Sequence, residues 1–330
     1  MAETIEDAEP KEFSATYEQL EALNKESEEI EEEIIRQQHA LTKSLYEKRE
    51  QVVAKIPDFW PLVFEQAPPE IDQYIQPSDS AVLLSSLESV SVSHFEIDNG
   101  AKGHPRSVSI LFKFGDNDFF EDKILEKRFW MRRARNGTKG LVSEPVPIKW
   151  KEGKDLTQGL LDLAVKVWEQ DKKKPDAEKK KTKPKDWTPE QKALRQKIDS
   201  FGLGGVSFFC WFGYRGQDIS AEENALAVAE EEKRRADIAA GNVPKQAETD
   251  EEDEDEDEDE DPFALEIFPD GDEVAVTIDE DLWPGAIVYF MQAQEADGIS
   301  DDDFEDDDEM VEDNDDDDDD EAPPLKRVKA

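Results

Sequence analysis

Between Ser14 and Ile56 the chain carries neither proline nor glycine, and glutamate, lysine, glutamine and leucine prevail. That composition favours helix, and Pro57 supplies a stop. The apolar residues restrict the segment further. Leu23, Ile34, Leu45 and Ile56 recur every eleven residues, and Ile30, Leu41 and Val52 repeat that interval between them. Eleven residues over three turns is about 3.67 per turn, near the straight-helix value, so little left-handed supercoil is expected. About 40 residues at ~1.5 Å each make a rod of ~60 Å. No other segment offers an apolar stripe of that length. The pattern therefore predicts a homodimer joined through Leu20, Leu23, Ile30, Ile34, Leu41, Leu45 and Val52. The competing expectation is a helix lying along its own domain.

Two acidic runs oppose folding elsewhere. Asp250 to Asp261 contains no neutral residue, and carboxylates dominate Asp301 to Glu321. Neighbouring carboxylates on an extended chain sit ~3.5 Å apart, well inside the ~8 Å screening length at physiological salt. They repel, stay solvated and resist folding. With a formal net charge of −45, the chain suits a strongly cationic partner, a histone or another polycation. The remainder stays acidic once both runs are set aside, so strong direct binding to nucleic acid phosphates is disfavoured. The expected division is a disordered 1–13, a dimerisation helix over 14–56, a folded domain over 57–292 and a disordered acidic tail over 293–330. Within the domain, a mobile basic loop is expected at 171–186 and a disordered acidic insertion at 216–261.

The folded part reads as α+β. Strands are expected at Glu88–Ile97, Val108–Phe114, Ile124–Arg132 and Val146–Trp150, where apolar and polar residues alternate. Such a sheet needs a covering layer. Helices expected at Asp155–Trp168, at Pro189–Ser200 and after Gly205 supply it. Ala221–Ala240 reads as a transient exposed helix. After the first acidic run, Phe263, Leu265, Ile267, Phe268, Trp283, Tyr289 and Phe290 must rejoin the core. Phe208-Phe209-Cys210-Trp211-Phe212 is a core segment around a buried thiol, and one cysteine excludes an internal disulfide.

No catalytic signature emerges. His39, His94 and His104 lack metal-ligand spacing among themselves or with Cys210. Gly202, Gly204 and Gly205 match turns rather than a phosphate-binding loop. Neither a cofactor nor a metal is expected, and the chain reads as a non-enzyme. No apolar run approaches the ~20 residues that span a bilayer, and the acidic N-terminus is unlike a signal peptide, so an intracellular, soluble protein is expected.

Five segments, in order, carry a resemblance: Ile56-Pro57-Asp58-Phe59-Trp60, Asp116-Asn117-Asp118-Phe119-Phe120-Glu121-Asp122-Lys123, Ile148-Lys149-Trp150-Lys151-Glu152-Gly153-Lys154-Asp155-Leu156-Thr157, Ser207-Phe208-Phe209-Cys210-Trp211-Phe212, and Asp281-Leu282-Trp283-Pro284 leading into Tyr289-Phe290. Together they resemble the nucleosome assembly protein family of histone chaperones, in its SET (template-activating factor) branch, fungal in type. The resemblance spans about Tyr17–Gln292, apart from the lysine loop and the Ala221–Asp261 insertion. It implies a homodimer joined by the long helices, with each earmuff domain an antiparallel sheet backed by helices. It also implies binding of core histones, H3–H4 favoured over H2A–H2B, on an acidic underside and through the tail. The alternative function it implies is a regulatory scaffold, a cofactor of a histone acetyltransferase or an inhibitor of a protein phosphatase.

Two acid clusters on the folded part are the candidate histone contacts: Asp116, Asp118, Glu121 and Asp122, and Asp279, Glu280 and Asp281. Lys127, Arg128, Arg132, Arg133 and Arg135 form a basic strand end expected to pair with the protein's own acids. Lys326, Arg327 and Lys329 fit a nuclear import signal, with Lys172–Lys185 a second candidate. A nuclear protein shuttling with the cytoplasm is expected.

Overall fold

The computed structural model describes residues 10–174, 184–201, 205–239 and 263–305. Helix α1 runs Pro10–Val53. It starts four residues before Ser14, because a proline needs no amide partner in a first helical turn. The amides of Ala54, Lys55 and Ile56 still bond back to the carbonyls of Glu50, Val52 and Val53 before Pro57 ends the run. Three short helices follow: α2 (Phe59–Glu65), α3 (Pro69–Asp72) and α4 (Pro77–Ser86).

Strands β1 (Leu87–Ser93), β2 (Val108–Phe114), β3 (Ile124–Arg133) and β4 (Lys139–Ser143) form one antiparallel meander in the order β1-β2-β3-β4. Val90 faces Phe112, Ile110 faces Lys127 and Phe129 faces Ser143. Strand side chains alternate between faces, so Val108, Ile110, Phe112 and Phe114 share the buried face with Leu125 and Phe129 across the ladder. Two strand expectations are corrected. β1 ends at Ser93, where the chain turns back to pair Ile97 and Asp98 amides with the His94 carbonyl. The fourth strand is Lys139–Ser143 rather than Val146–Trp150. Gly137, at φ +89°, lets the hairpin close between Ala134 and Thr138. Pro147 has no amide to give to a ladder, and its neighbourhood supplies only one isolated bridge, Phe120 to Trp150.

The covering layer is aromatic and helical. The expected helix after Gly205 is a 3-10 turn, Phe208–Gly213, whose four aromatic side chains and Cys210 are all buried. Phe112 lies 5.8–6.1 Å from the rings of Phe208, Trp211 and Phe212, within the range of favourable aromatic pairing. Helix α5 (Leu160–Asp171) packs beside α6 (Pro189–Phe201). It begins five residues later than expected, because Asp155 accepts from the Thr157 and Gly159 amides at 2.8 and 2.6 Å. Gly159, at φ +82°, then turns the chain into the helix. Burial pushes the Cys210 thiol up, out of the reactive range.

Helix α7 (Ala221–Ala239) matches the helix expected over Ala221–Ala240, within what was otherwise expected to be a disordered insertion, but it is docked rather than transient. It docks on the hairpin: Asn224 accepts the Arg133 amide at 2.8 Å, Glu230 pairs with Arg135, and Ala227 is buried. Beyond Phe263 come α8 (Gly271–Thr277), a π-helical turn (Ile278–Leu282) and α9 (Ala286–Glu305), which runs past Gln292, where the tail was expected to begin. Of the residues expected to rejoin the core, Ile267 and Phe268 are buried and Leu265, Trp283, Tyr289 and Phe290 pack half-buried against it, whereas Phe263 is exposed; Val274, Ile278 and Leu282 are buried alongside them. Among the described residues, no helix is long and apolar enough to cross a membrane.

Candidate functional site

Helix α1 presents two different faces. Leu20, Leu23, Ile30, Ile34, Leu41, Leu45 and Val52 are all exposed, from 56% to 79%. At ~100° per residue they fall within an arc of about 80°. Glu32, Arg36 and His39 lie about 155° away from its centre and face the protein's own domain. There Arg36 donates to the Gly103 carbonyl at 2.9 Å, His104 meets Glu32 at 3.2 Å and His39 meets Asp98 at 3.0 Å. Arg49 donates to the Trp283 carbonyl at 2.5 Å and lies 4.6 and 4.4 Å from the Tyr46 and Trp283 rings, which contact each other. Further toward the N-terminus, Glu28 pairs with Lys139, Lys25 with Glu231, and Glu29 with Arg235. Burial alone would raise the Glu231 carboxyl, but Lys25 and Arg234 pull it down to about 2. The helix thus lies along its own domain by its polar face, as the competing expectation had it, and leaves the apolar stripe outward.

The outward stripe is a palindrome. From Leu23 to Val52 its intervals are 7, 4, 7, 4 and 7 residues. A two-fold axis between Gln37 and Gln38 brings Leu23 opposite Val52, Ile30 opposite Leu45 and Ile34 opposite Leu41 in an antiparallel pair. A slip of eleven residues matches only four of these six residues.

The acid clusters differ in how much charge they offer a partner. In the 116–122 loop, Asp116 pairs with Lys123, which holds its carboxyl below the usual range. Asp122 accepts the Lys149 amide at 2.6 Å, and Lys151 donates to the Asn117 carbonyl at 2.5 Å. Asp118 and Glu121 remain exposed, but the loop is ringed by lysines. The 279–281 cluster lies on the π-helical turn. Asp279 meets His94 at 3.3 Å, Glu280 lies 3.8 Å from Arg106, and Asp281 accepts from Tyr289 at 2.9 Å. Burial and that bond push the Tyr289 hydroxyl up to about 12.

Glu280 and Asp281 also line a groove of about 580 Å³. Glu70, Asp272 and Glu273 join them, over a floor of Met131, Leu141 and Val276. No lysine or arginine lines it. The sequence reading missed Glu70, Asp272 and Glu273, because α3 and α8 are brought together only by the fold. Asp272-Glu273 at the head of an apolar-periodic stretch was the available signal. The basic strand end does pair internally: Arg128 with Glu126, Arg133 with Glu231 and Arg135 with Glu230, while Arg132 donates to the Ile219 carbonyl. Lys127 is different, being buried on the core face. The acidic run 250–261, residues 306–321, Lys326, Arg327 and Lys329 lie outside the described residues. Among the described residues no group of three or more His, Cys, Asp or Glu could hold a metal.

The sequence profile of the nucleosome assembly protein (NAP) family matches residues 6–293. A putative nucleosome assembly protein of Schizosaccharomyces pombe is 36% identical over 156 residues, covering 44% of this chain and 61% of that protein. The Drosophila melanogaster protein SET is 32% identical over 152 residues, covering 45% and 53%. The chain therefore spans little more than half the length of these curated relatives. The crystal structure of Vps75 superposes with a TM-score of 0.51 at 22% identity, over 85% of this chain and 99% of that one, a likeness of fold. With the profile matching most of its length, the chain belongs to the nucleosome assembly protein family, a non-enzymatic family.

Proposed function

We propose that the chain is a histone chaperone that works as a homodimer, binds core histones with H3–H4 favoured, and acts in the nucleus. The groove carries this reading. Five carboxylates surround an apolar floor in a concavity without lysine or arginine, a match for a cationic surface with apolar side chains of its own. Ordered carboxylates set register, while the acidic runs add long-range attraction that salt screens. Release onto DNA follows when its denser phosphate charge displaces counterions. Glu280 and Asp281 belong to this surface, while Asp279 beside them is held by His94; the 116–122 loop, occupied by its own lysines, contributes less.

Binding of H3–H4 and H2A–H2B, measured at several salt concentrations, tests the reading. Converting Asp272, Glu273, Glu280 and Asp281 to amides is expected to weaken histone binding roughly tenfold, at a few tenths of a kcal/mol per exposed pair. Removal of Asp301–Ala330 is expected to weaken binding and flatten its salt dependence without abolishing it. If the tail deletion alone abolishes binding at physiological salt, the groove is not a histone site.

A further inference from the structure

The three histidines of the chain all lie in one seam, between α1 and the domain. His39 is on α1, His94 directly follows β1, and His104 sits in the connection to β2. Each meets a carboxylate: Asp98, Asp279 and Glu32, respectively. His104 and His94 differ in their second contact. His104 Nδ1 accepts the Arg106 amide at 3.2 Å, so a neutral ring with its proton on Nε2 satisfies both neighbours. His94 Nδ1 lies 2.7 Å from the Pro105 carbonyl oxygen, and its Nε2 lies 3.3 Å from Asp279 Oδ1. Both partners of His94 are acceptors only. A neutral imidazole has a single N–H, so only the doubly protonated ring can donate to both.

The surroundings of His94 are mixed in sign. From α1 the His39 ring approaches edge-on, 4.9 Å between centroids, and Lys43 reaches Asp98 at 3.4 Å. Arg106, from the following loop, lies 3.8 Å from Glu280. Asp279 adjoins Glu280 and Asp281, which line the groove.

We propose that His94 is an internal counter-ion for Asp279, withholding that carboxylate from a cationic partner while protonated and releasing it on deprotonation. The part concerning the partner rests on the histone-binding reading; the clasp itself does not. Burial alone would lower the His94 midpoint, but the Asp279 carboxylate and the Pro105 carbonyl hold it above the ordinary value, which is ~6.5. The sign follows. The clasp is fully present below about pH 6.5, and it is lost as pH rises through the higher folded midpoint. Release therefore falls above the ordinary histidine midpoint of ~6.5, and attraction for cations grows as it occurs.

Two measurements on the full chain test this. In the first, histidine ring signals are followed by NMR from pH 5 to 9 and assigned by His39→Gln, His94→Gln and His104→Gln. Asp279→Asn is expected to lower the His94 midpoint; an unchanged midpoint overturns the clasp. In the second, a histidine-free, arginine-rich peptide is titrated at pH 6 and pH 8 at fixed salt. The unaltered protein is expected to bind roughly threefold tighter at pH 8, the size of one partly exposed ion pair, and His94→Gln to remove the difference. An equal pH dependence in His94→Gln overturns the competition. Absence of peptide binding at both pH values, in both proteins, sinks the acidic-surface reading and the competition with it, while the NMR midpoint still decides the clasp.

Discussion

Light scattering of the Ile34→Glu/Leu41→Glu variant is expected to return the mass of one 37.6 kDa chain, and the unaltered protein twice that. In the palindromic register these two positions face each other, so the double change places four carboxylates in one apolar seam. Burying unpaired charge costs several kcal/mol per group, more than the remaining pairs at either end can offset. The variant should still fold, because both residues are exposed on the monomer and the ion pairs of α1 with its own domain lie on the opposite face. Cross-linking then separates the two orientations. With helices antiparallel about Gln37–Gln38, Ile30→Cys alone lies ~20 Å from its counterpart, at ~1.5 Å per residue, and cannot form a disulfide. Ile30→Cys combined with Leu45→Cys can. In a parallel pair the single variant cross-links. Cys210 is buried and adds no background. A dimer mass that survives the double Glu change would place the interface elsewhere.

What was legible in the sequence followed periodicity. The eleven-residue stripe marked both the length of α1 and the face it leaves outward. Alternation located β2 and β3 within a residue, since Val108, Ile110, Phe112 and Phe114 repeat at the strand period. β4 escaped because Lys139-Gly140-Leu141-Val142-Ser143 is short and carries a glycine, while Val146–Trp150 mimics a strand by composition. The groove was half legible: Glu280 and Asp281 stand in a visible cluster, but Glu70 arrives from 210 residues away in sequence. Local charge density was also a poor guide to availability. Asp116 and Asp122 read as binding acids, yet the fold pairs one with Lys123 and the other with the Lys149 amide.

Lys127→Met is expected to lower the thermal midpoint of the domain by roughly 6–12 °C, from a loss of ~3 kcal/mol. Alternation with Leu125 and Phe129 places Lys127 on the core face of β3, opposite Ile110, where it is fully buried. Burial pushes its ammonium well down, but its three N–H groups donate to the carbonyls of Glu144, Phe212 and Tyr214 at 2.8, 3.0 and 2.6 Å. Glu266, also buried, favours the charged form and accepts four amides of its own, from Arg215, Gly216, Ile267 and Phe268. These two side chains join the sheet, the aromatic turn and the point where the chain re-enters after its insertion. Methionine keeps most of the volume but removes the donor to the buried Tyr214 carbonyl, one of two donors to the Phe212 carbonyl, which keeps the Val146 amide, and the bond to the Glu144 carbonyl, each lost bond costing about 1 kcal/mol. Because Lys127 and Glu266 feel each other's charge, Lys127→Met with Glu266→Gln should lose less than the sum of the single changes. The consequence reaches the groove, since Met131 and Leu141 form its floor on β3 and β4. Trp211, in the aromatic turn, donates to the Gly271 carbonyl at the head of α8. Lys127→Met should therefore weaken histone binding at temperatures well below its own melting midpoint. A circular dichroism melt within ~2 °C of the unaltered protein, less than the shift expected from 1 kcal/mol, would show that the carbonyls find other donors and that Lys127 holds nothing the fold needs.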